Sequence, residues 1–160
     1  MSAPAPRAEA RQLVWRAFEV LSPHELYDML RLRADVFVVE QACAFAEIDG
    51  RDLEALHLLA RLPGTDGLAG TLRLFPPAAG APASMGRVAT AAWARGVGLG
   101  RAMMMEGIAE ARRRFRSMPV EIGAQARLET FYASLGFVRT SPDYDEDGIL
   151  HCTMVRDADT

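Results

Sequence analysis

Arg95-Gly96-Val97-Gly98-Leu99-Gly100 has the composition of an anion cradle. Glycines let backbone N–H groups converge on a phosphate, and a helix that starts there adds the favourable end of its dipole. Two nucleotide fingerprints fail against this run. The dinucleotide pattern G-x-G-x-x-G lacks its third glycine, because Arg101 and Met103 stand where it would fall. The P-loop pattern needs a lysine, and all 18 basic residues of the chain are arginines. The same absence excludes a pyridoxal Schiff base and a lysine nucleophile. What remains is R-x-x-G-x-G between an expected strand and an expected helix.

The elements that must position this run follow from length and pattern. At 160 residues the chain suits one domain able to bury a core without staples. Residues 1–10 are Ala/Pro-rich and read as a disordered tail, leaving 11–160 as the domain. Strands are expected over 13–20, 56–62, 67–75, 85–92 and 119–124, with a final pair over 137–140 and 150–155. Ser22-Pro23-His24-Glu25 is a capping box with proline at the first helical position. A second short helix or turn follows near 32–39. A long helix over 98–115 carries Met104, Ile108, Ala111 and Phe115 at steps of four, three and four. Residues 128–135 form a short helix stopped by Gly136. The fold class is α/β (α+β): a mixed central sheet with helices on both faces.

Composition excludes several partners. A net charge of −3 argues against a general nucleic-acid binder. No apolar run suffices to cross a bilayer, and the first six residues lack a signal-peptide core. The expectation is a cytoplasmic protein, monomeric or homodimeric, with no membrane partner. Cys43 and Cys152 match no zinc or redox spacing, so no metal is expected. Arg112 to Arg114 and Arg116 read as helix C-terminal cations, and Met103 to Met105 as adaptable core.

R-x-x-G-x-G resembles the acetyl-CoA-binding motif of the GNAT N-acetyltransferases, and Gln125 to Phe137 resembles that family's downstream signature. Val36 to Gln41, Glu47-x-Asp49-Gly50-x-Asp52, Arg73-Leu74, Gly86-Arg87-Val88 and Glu146 to Ile149 are similar to its ElaA-like branch. The resemblance implies a mostly antiparallel GNAT sheet and an acyl-CoA donor, acetyl-CoA in the first instance. It implies that Arg95, Gly96, Val97, Gly98, Leu99 and Gly100 hold the pyrophosphate. Val88-Ala89-Thr90 would pair with the pantetheine arm, with Gln125 and Tyr132 nearby. Thr90 and Ala92 depart from the usual apolar residue and proline, and Gln125 from the usual asparagine.

The chemistry implied is direct attack of an unidentified amine, from a small molecule or peptide, on the thioester. A backbone N–H near Val88 or Ala89 would polarise the carbonyl, and Tyr132 would protonate the departing thiolate. His57, Glu47, Asp49 and His151 are the candidates for general base, and an acid-lined acceptor site would suit a cationic amine. Arg33, Phe37, Glu47, Asp49, Asp52 and Arg73 also resemble the signature of acyl-homoserine-lactone synthases, which use acyl-carrier protein. A salt-bridged cluster that orders a loop is the preferred reading of that set. The remaining alternative is a non-catalytic acyl-CoA-binding module.

Overall fold

The computed structural model describes residues 11–159, so the N-terminal Ala/Pro-rich segment lies outside the described residues. Eight strands form one sheet among the described residues: β1 (Gln12–Ala17), β2 (Leu56–Arg61), β3 (Gly70–Phe75), β4 (Ala83–Thr90), β5 (Val120–Gln125), β6 (Val138–Arg139), β7 (Tyr144–Glu146) and β8 (Ile149–Arg156). Their order is β1-β2-β3-β4-β5-β8-β6, with β7 paired to β8. Only β4 and β5 run parallel; every other pairing is antiparallel. The helices are α1 (Pro23–Arg33), α2 (Leu99–Arg114) and α3 (Glu129–Ala133).

The capping box forms as expected: Glu25 N–H donates to Ser22 Oγ at 3.0 Å and Ser22 N–H to Glu25 Oε1 at 2.9 Å. Beyond Arg33 the chain does not stop and restart as a second helix. It widens into a π-helical segment over Ala34–Glu40, a geometry that often marks functional sites.

Alternation along β3 separates two environments. Leu72 meets α2, whereas Arg73, one residue on, faces a polar layer shared with Arg33 of α1. The buried stripe of α2 is rotated from the expected one. Leu99, Met103, Met104, Gly107, Glu110 and Ala111 are buried, while Ile108 and Phe115 only flank the core. Gly107 lets α2 pack closely on the sheet: a Cβ there would stand 2.5 Å from Met85 Sδ, so the Met85 side chain would have to move. Met105 points outward, and Arg113 and Arg114 pair with Glu110 rather than only facing the helix end.

Two strand boundaries shift for local reasons, and one strand is new. β1 ends at Ala17 because Phe18–Val20 forms a 3-10 turn, closed by Leu21 N–H on the Phe18 carbonyl. β3 begins at Gly70, since Gly67 at φ +90° takes the preceding chain off the ladder. β7 was not expected; it is the first arm of a hairpin whose turn, Asp147-Gly148, sits at φ +52° and +84°. That pair is a strong hairpin signal in sequence.

Candidate active site

β4 pairs with β5 only from Ala83–Val120 to Met85–Ile122, and beyond those partners the two strands part. Their divergence follows a register shift between β3 and β4 around Thr71 and Arg73, opposite Arg87. Arg87 adopts φ +50°, costly for a non-glycine residue. Its side chain secures that conformation by donating to Glu47 Oε1 at 3.0 Å and to the Glu47 carbonyl at 3.2 Å. A cleft of about 1160 Å³ opens between the parted strands. Val88 and Thr90 line it, while Ala89 between them is buried, paired with Thr71 of β3, and outside the lining.

The glycine-rich run lies beside that opening. Gly96 and Gly98 take φ +83° and +76°, which side-chain-bearing residues rarely adopt. Gly98 is the N-cap of α2, with no side chain capping the first turn, so the orphan N–H groups there face outward. A Cβ added at Gly96 or Gly100 would meet nothing within 4 Å, so the outer face of the loop is open. Buried Leu99 roots the loop in the core, exposed Val97 accepts through its carbonyl from the Arg11 side chain, and Arg95 ties the loop to the π-helical segment. The Arg95 guanidinium donates to Glu40 at 2.5 and 2.8 Å and to the Thr90 carbonyl at 3.0 Å. The bond from Arg95 holds the Glu40 carboxyl below its ordinary range. An open glycine loop leading into a helix start that no side chain caps among the described residues fits a pyrophosphate.

Tyr132 projects from α3 into the cleft wall, boxed edge-on by Phe131 at 5.1 Å and Phe137 at 6.2 Å between ring centroids. Its hydroxyl has no hydrogen-bond partner among the described residues. Burial pushes its pKa up, so it stays protonated and able to donate. Gln125 also lines the cleft; its Nε2 lies 3.4 Å from Gln41 Oε1, and its Oε1 accepts from Arg127 Nε at 3.1 Å.

The expected base candidates divide. His57 is fully buried, with Nε2 2.8 Å from the Asp52 carbonyl oxygen, and it does not line the cleft. Burial lowers its pKa. Glu47 is also buried and outside the lining, engaged by Arg33 at 2.6 Å and Arg87 at 3.0 Å. Asp49 and Asp52 complete that network with Arg73, at 2.6 and 3.0 Å. The Arg/Asp set is thus a salt-bridged cluster ordering the loop before β2. His151 does line the cleft, with Nδ1 on the Ile149 carbonyl at 2.8 Å, Glu146 at 3.5 Å, and Tyr144 stacked against its ring. Glu121, Tyr144 and Arg51 line the cleft too and were not singled out from sequence. For Glu121 a signal existed: it is the polar residue between Val120 and Ile122 on a strand that alternates buried and accessible.

The Acetyltransferase (GNAT) domain family matches residues 67–158. A "UPF0039 protein" of Mycobacterium tuberculosis is 40% identical over 92% of this chain and 93% of its own length. Protein ElaA of Escherichia coli is 37% identical over 86% of this chain and 90% of its own. Among solved structures, an acyl-CoA N-acyltransferase from Pseudomonas aeruginosa superposes with a TM-score of 0.86 at 38% identity, covering 92% of this chain and 99% of that one.

Proposed function

The chain belongs to the GNAT acetyltransferase family, and on that premise we propose that it moves an acetyl group from acetyl-CoA to the amine of a small molecule or peptide. GNAT-type transfer from an acyl-CoA donor to an amine is the activity common to the fold and the family match. Acetyl-CoA as donor, the residue roles below, and a place in the ElaA-like branch are our own reading. So is a single catalytic domain over 11–160, acting as monomer or homodimer.

Bound acyl-CoA supplies an activated thioester that an amine can attack. The N–H groups from Gly96 to Gly100 hold its pyrophosphate, with Leu99 anchoring the turn and Arg95 bracing it. Val88, Ala89 and Thr90, on the strand edge that β5 has left, hydrogen-bond the pantetheine arm. The N–H of Val88 or Ala89 polarises the carbonyl. Tyr132 donates its proton to the departing sulfur. The base role passes from His57 and Glu47 to the cleft-lining carboxylate Glu121 or to His151, because a base must reach the attacking amine.

One observation carries this reading. The Tyr132 hydroxyl has no hydrogen-bond partner among the described residues, burial keeps it protonated, and its side chain lines the same cleft as Val88 and Thr90 of β4. Thiol release from acetyl-CoA across small amines, polyamines, amino acids and peptides tests it. Release with at least one class, and none without an amine, is expected. Turnover only with acyl-carrier protein, yielding a lactone, would favour the synthase alternative instead.

A further inference from the structure

The charges lining the cleft sort by whether they have partners. Arg73 pairs with Asp49 and Asp52, and Arg87 with Glu47 and Asp49. With Arg33 they set three cations against three carboxylates, a closed set. Arg95 is taken up by Glu40, Arg127 donates to Gln125, and Glu146 stands 3.5 Å from His151. Asp147 sits at the exposed tip of the β7–β8 turn. Three charged side chains in the body of the cleft then have no ion-pair partner among the described residues: Arg51, Glu121 and Arg127, of which Arg127 already spends its Nε–H on the Gln125 amide.

Arg51 is anchored at both ends. Its guanidinium lies 4.2 Å over the Phe75 ring, and its backbone N–H donates to Asp49 Oδ1 at 3.0 Å. A guanidinium stacked on a ring keeps the N–H donors at its edge free for an anion. Phe75 pairs with Ser84, and Ser84 with Glu121, so all three share one face of the sheet. Phe75 and Glu121 are two strand spacings apart, roughly 10 Å. Glu121 precedes Ile122, the last β5 residue paired with β4, and therefore stands where the strands begin to part.

We propose that the acceptor is an α-amino acid, bound with its carboxylate on Arg51 and its amine at Glu121. This rests on the acetyl-transfer reading above and names its substrate class. An α-amino acid carries the two opposite charges that these two unpartnered side chains, facing one cleft, can each take up by a charge-assisted hydrogen bond. A polyamine would instead bring a second cation against Arg51.

The step balances without any further reagent. Glu121 takes one proton from the ammonium, which frees the nitrogen lone pair. The N–C bond forms and the C–S bond breaks, with the bonding pair leaving on sulfur. Tyr132 protonates the sulfur. Of the two protons the nitrogen loses, one restores Tyr132 through solvent and the other is released.

The test compares thiol release from acetyl-CoA for a series of L-amino acids, the corresponding amino-acid amides, and spermidine. The amides keep the amine and lose the negative charge. We expect kcat/KM for the acids to exceed that for the amides by about tenfold or more. Arg51→Gln should draw that ratio toward one, chiefly through KM, and Arg51→Lys should restore part of it. Glu121→Gln should lower kcat on the acids. Equal or better use of amides or spermidine, or a ratio unmoved by Arg51→Gln, would overturn the zwitterion and leave acetyl transfer standing. Failure of acetyl transfer itself reads differently: no thiol is released with any amine although CoA binds in calorimetry, and both readings then fall.

Discussion

Asp52 Oδ1 lies 2.7 Å from Arg33 Nη1, with the two side chains 6% and 1% exposed, and the same oxygen accepts from Arg73 at 3.0 Å. Burial alone would raise the Asp52 carboxyl, but the hydrogen bonds and charges of Arg33 and Arg73 outweigh it and the net shift is downward. Asp49 is lowered as well, first by its bond from Arg73. Carboxyls lowered in the folded state stabilise it above their unfolded pKa, and that stability is lost as pH falls through the folded values. Thermal melts should therefore show Tm declining below about pH 4. Asp52→Asn should weaken that acid dependence and lower stability at pH 7 by about 3 kcal/mol, because a buried arginine loses its counter-charge. Glu47 still serves Arg33, which keeps the loss at the low end. A melt unchanged by Asp52→Asn would mean that the cluster is not holding the loop.

His57 separates structure from catalysis. Its Nε2 faces the Asp52 carbonyl oxygen at 2.8 Å and so carries the proton, while Nδ1 is buried without a partner among the described residues. Burial keeps the ring neutral at neutral pH. His57→Gln should lower Tm by a few degrees, and the acidic limb of the kcat/KM profile should stay in place. Movement of that limb would give the base role back to His57.

Gly98 tests the cradle. Gly98→Glu should weaken CoA binding by at least about tenfold, since it strains a position at φ +76° and sets a negative charge at the helix start. Gly98→Asn is the control, because asparagine tolerates the left-handed region and adds no charge. Calorimetry on the folded variants decides: unchanged affinity in Gly98→Glu would remove pyrophosphate from this loop.

Tyr132→Phe keeps the ring between Phe131 and Phe137 and removes only the hydroxyl. Acetyl-CoA affinity should change little, while kcat should fall by roughly 10²–10⁴-fold if general-acid catalysis is lost. A thiolate leaves tolerably unaided, so the lower part of that range is expected. Because burial raises this pKa, the alkaline limb of the wild-type kcat profile should lie above the ordinary tyrosine range of about 10. An unchanged kcat, with chemistry limiting, would return Tyr132 to a packing role.

Local signals reached far into this protein. The capping box at Ser22, the glycines of the 95–100 run and the alternating strands act through neighbours in the chain, so they were legible before any fold was known. The spacing that set Tyr132 apart was legible too, by family resemblance. The base candidates were not. His57 and Glu47 are polar residues close in sequence to the expected acceptor loop, yet one is closed off by a backbone carbonyl and the other by two arginines. Arg33, Asp52 and Arg73 meet across separations that no periodicity records.

Sequence by itself determined where the helices start, which residues can accept a left-handed backbone, and that no lysine chemistry is available. Only the tertiary structure decided which charges remain unpaired. Pairing of Arg51 or Glu121 depends on whether strands distant in sequence bring an opposite charge within hydrogen-bond reach. Here the loop before β2 lays Arg51 on the Phe75 ring of β3 and β5 carries Glu121, both lining the same opening, with every neighbouring carboxylate of the Arg33–Arg73–Arg87 network already engaged.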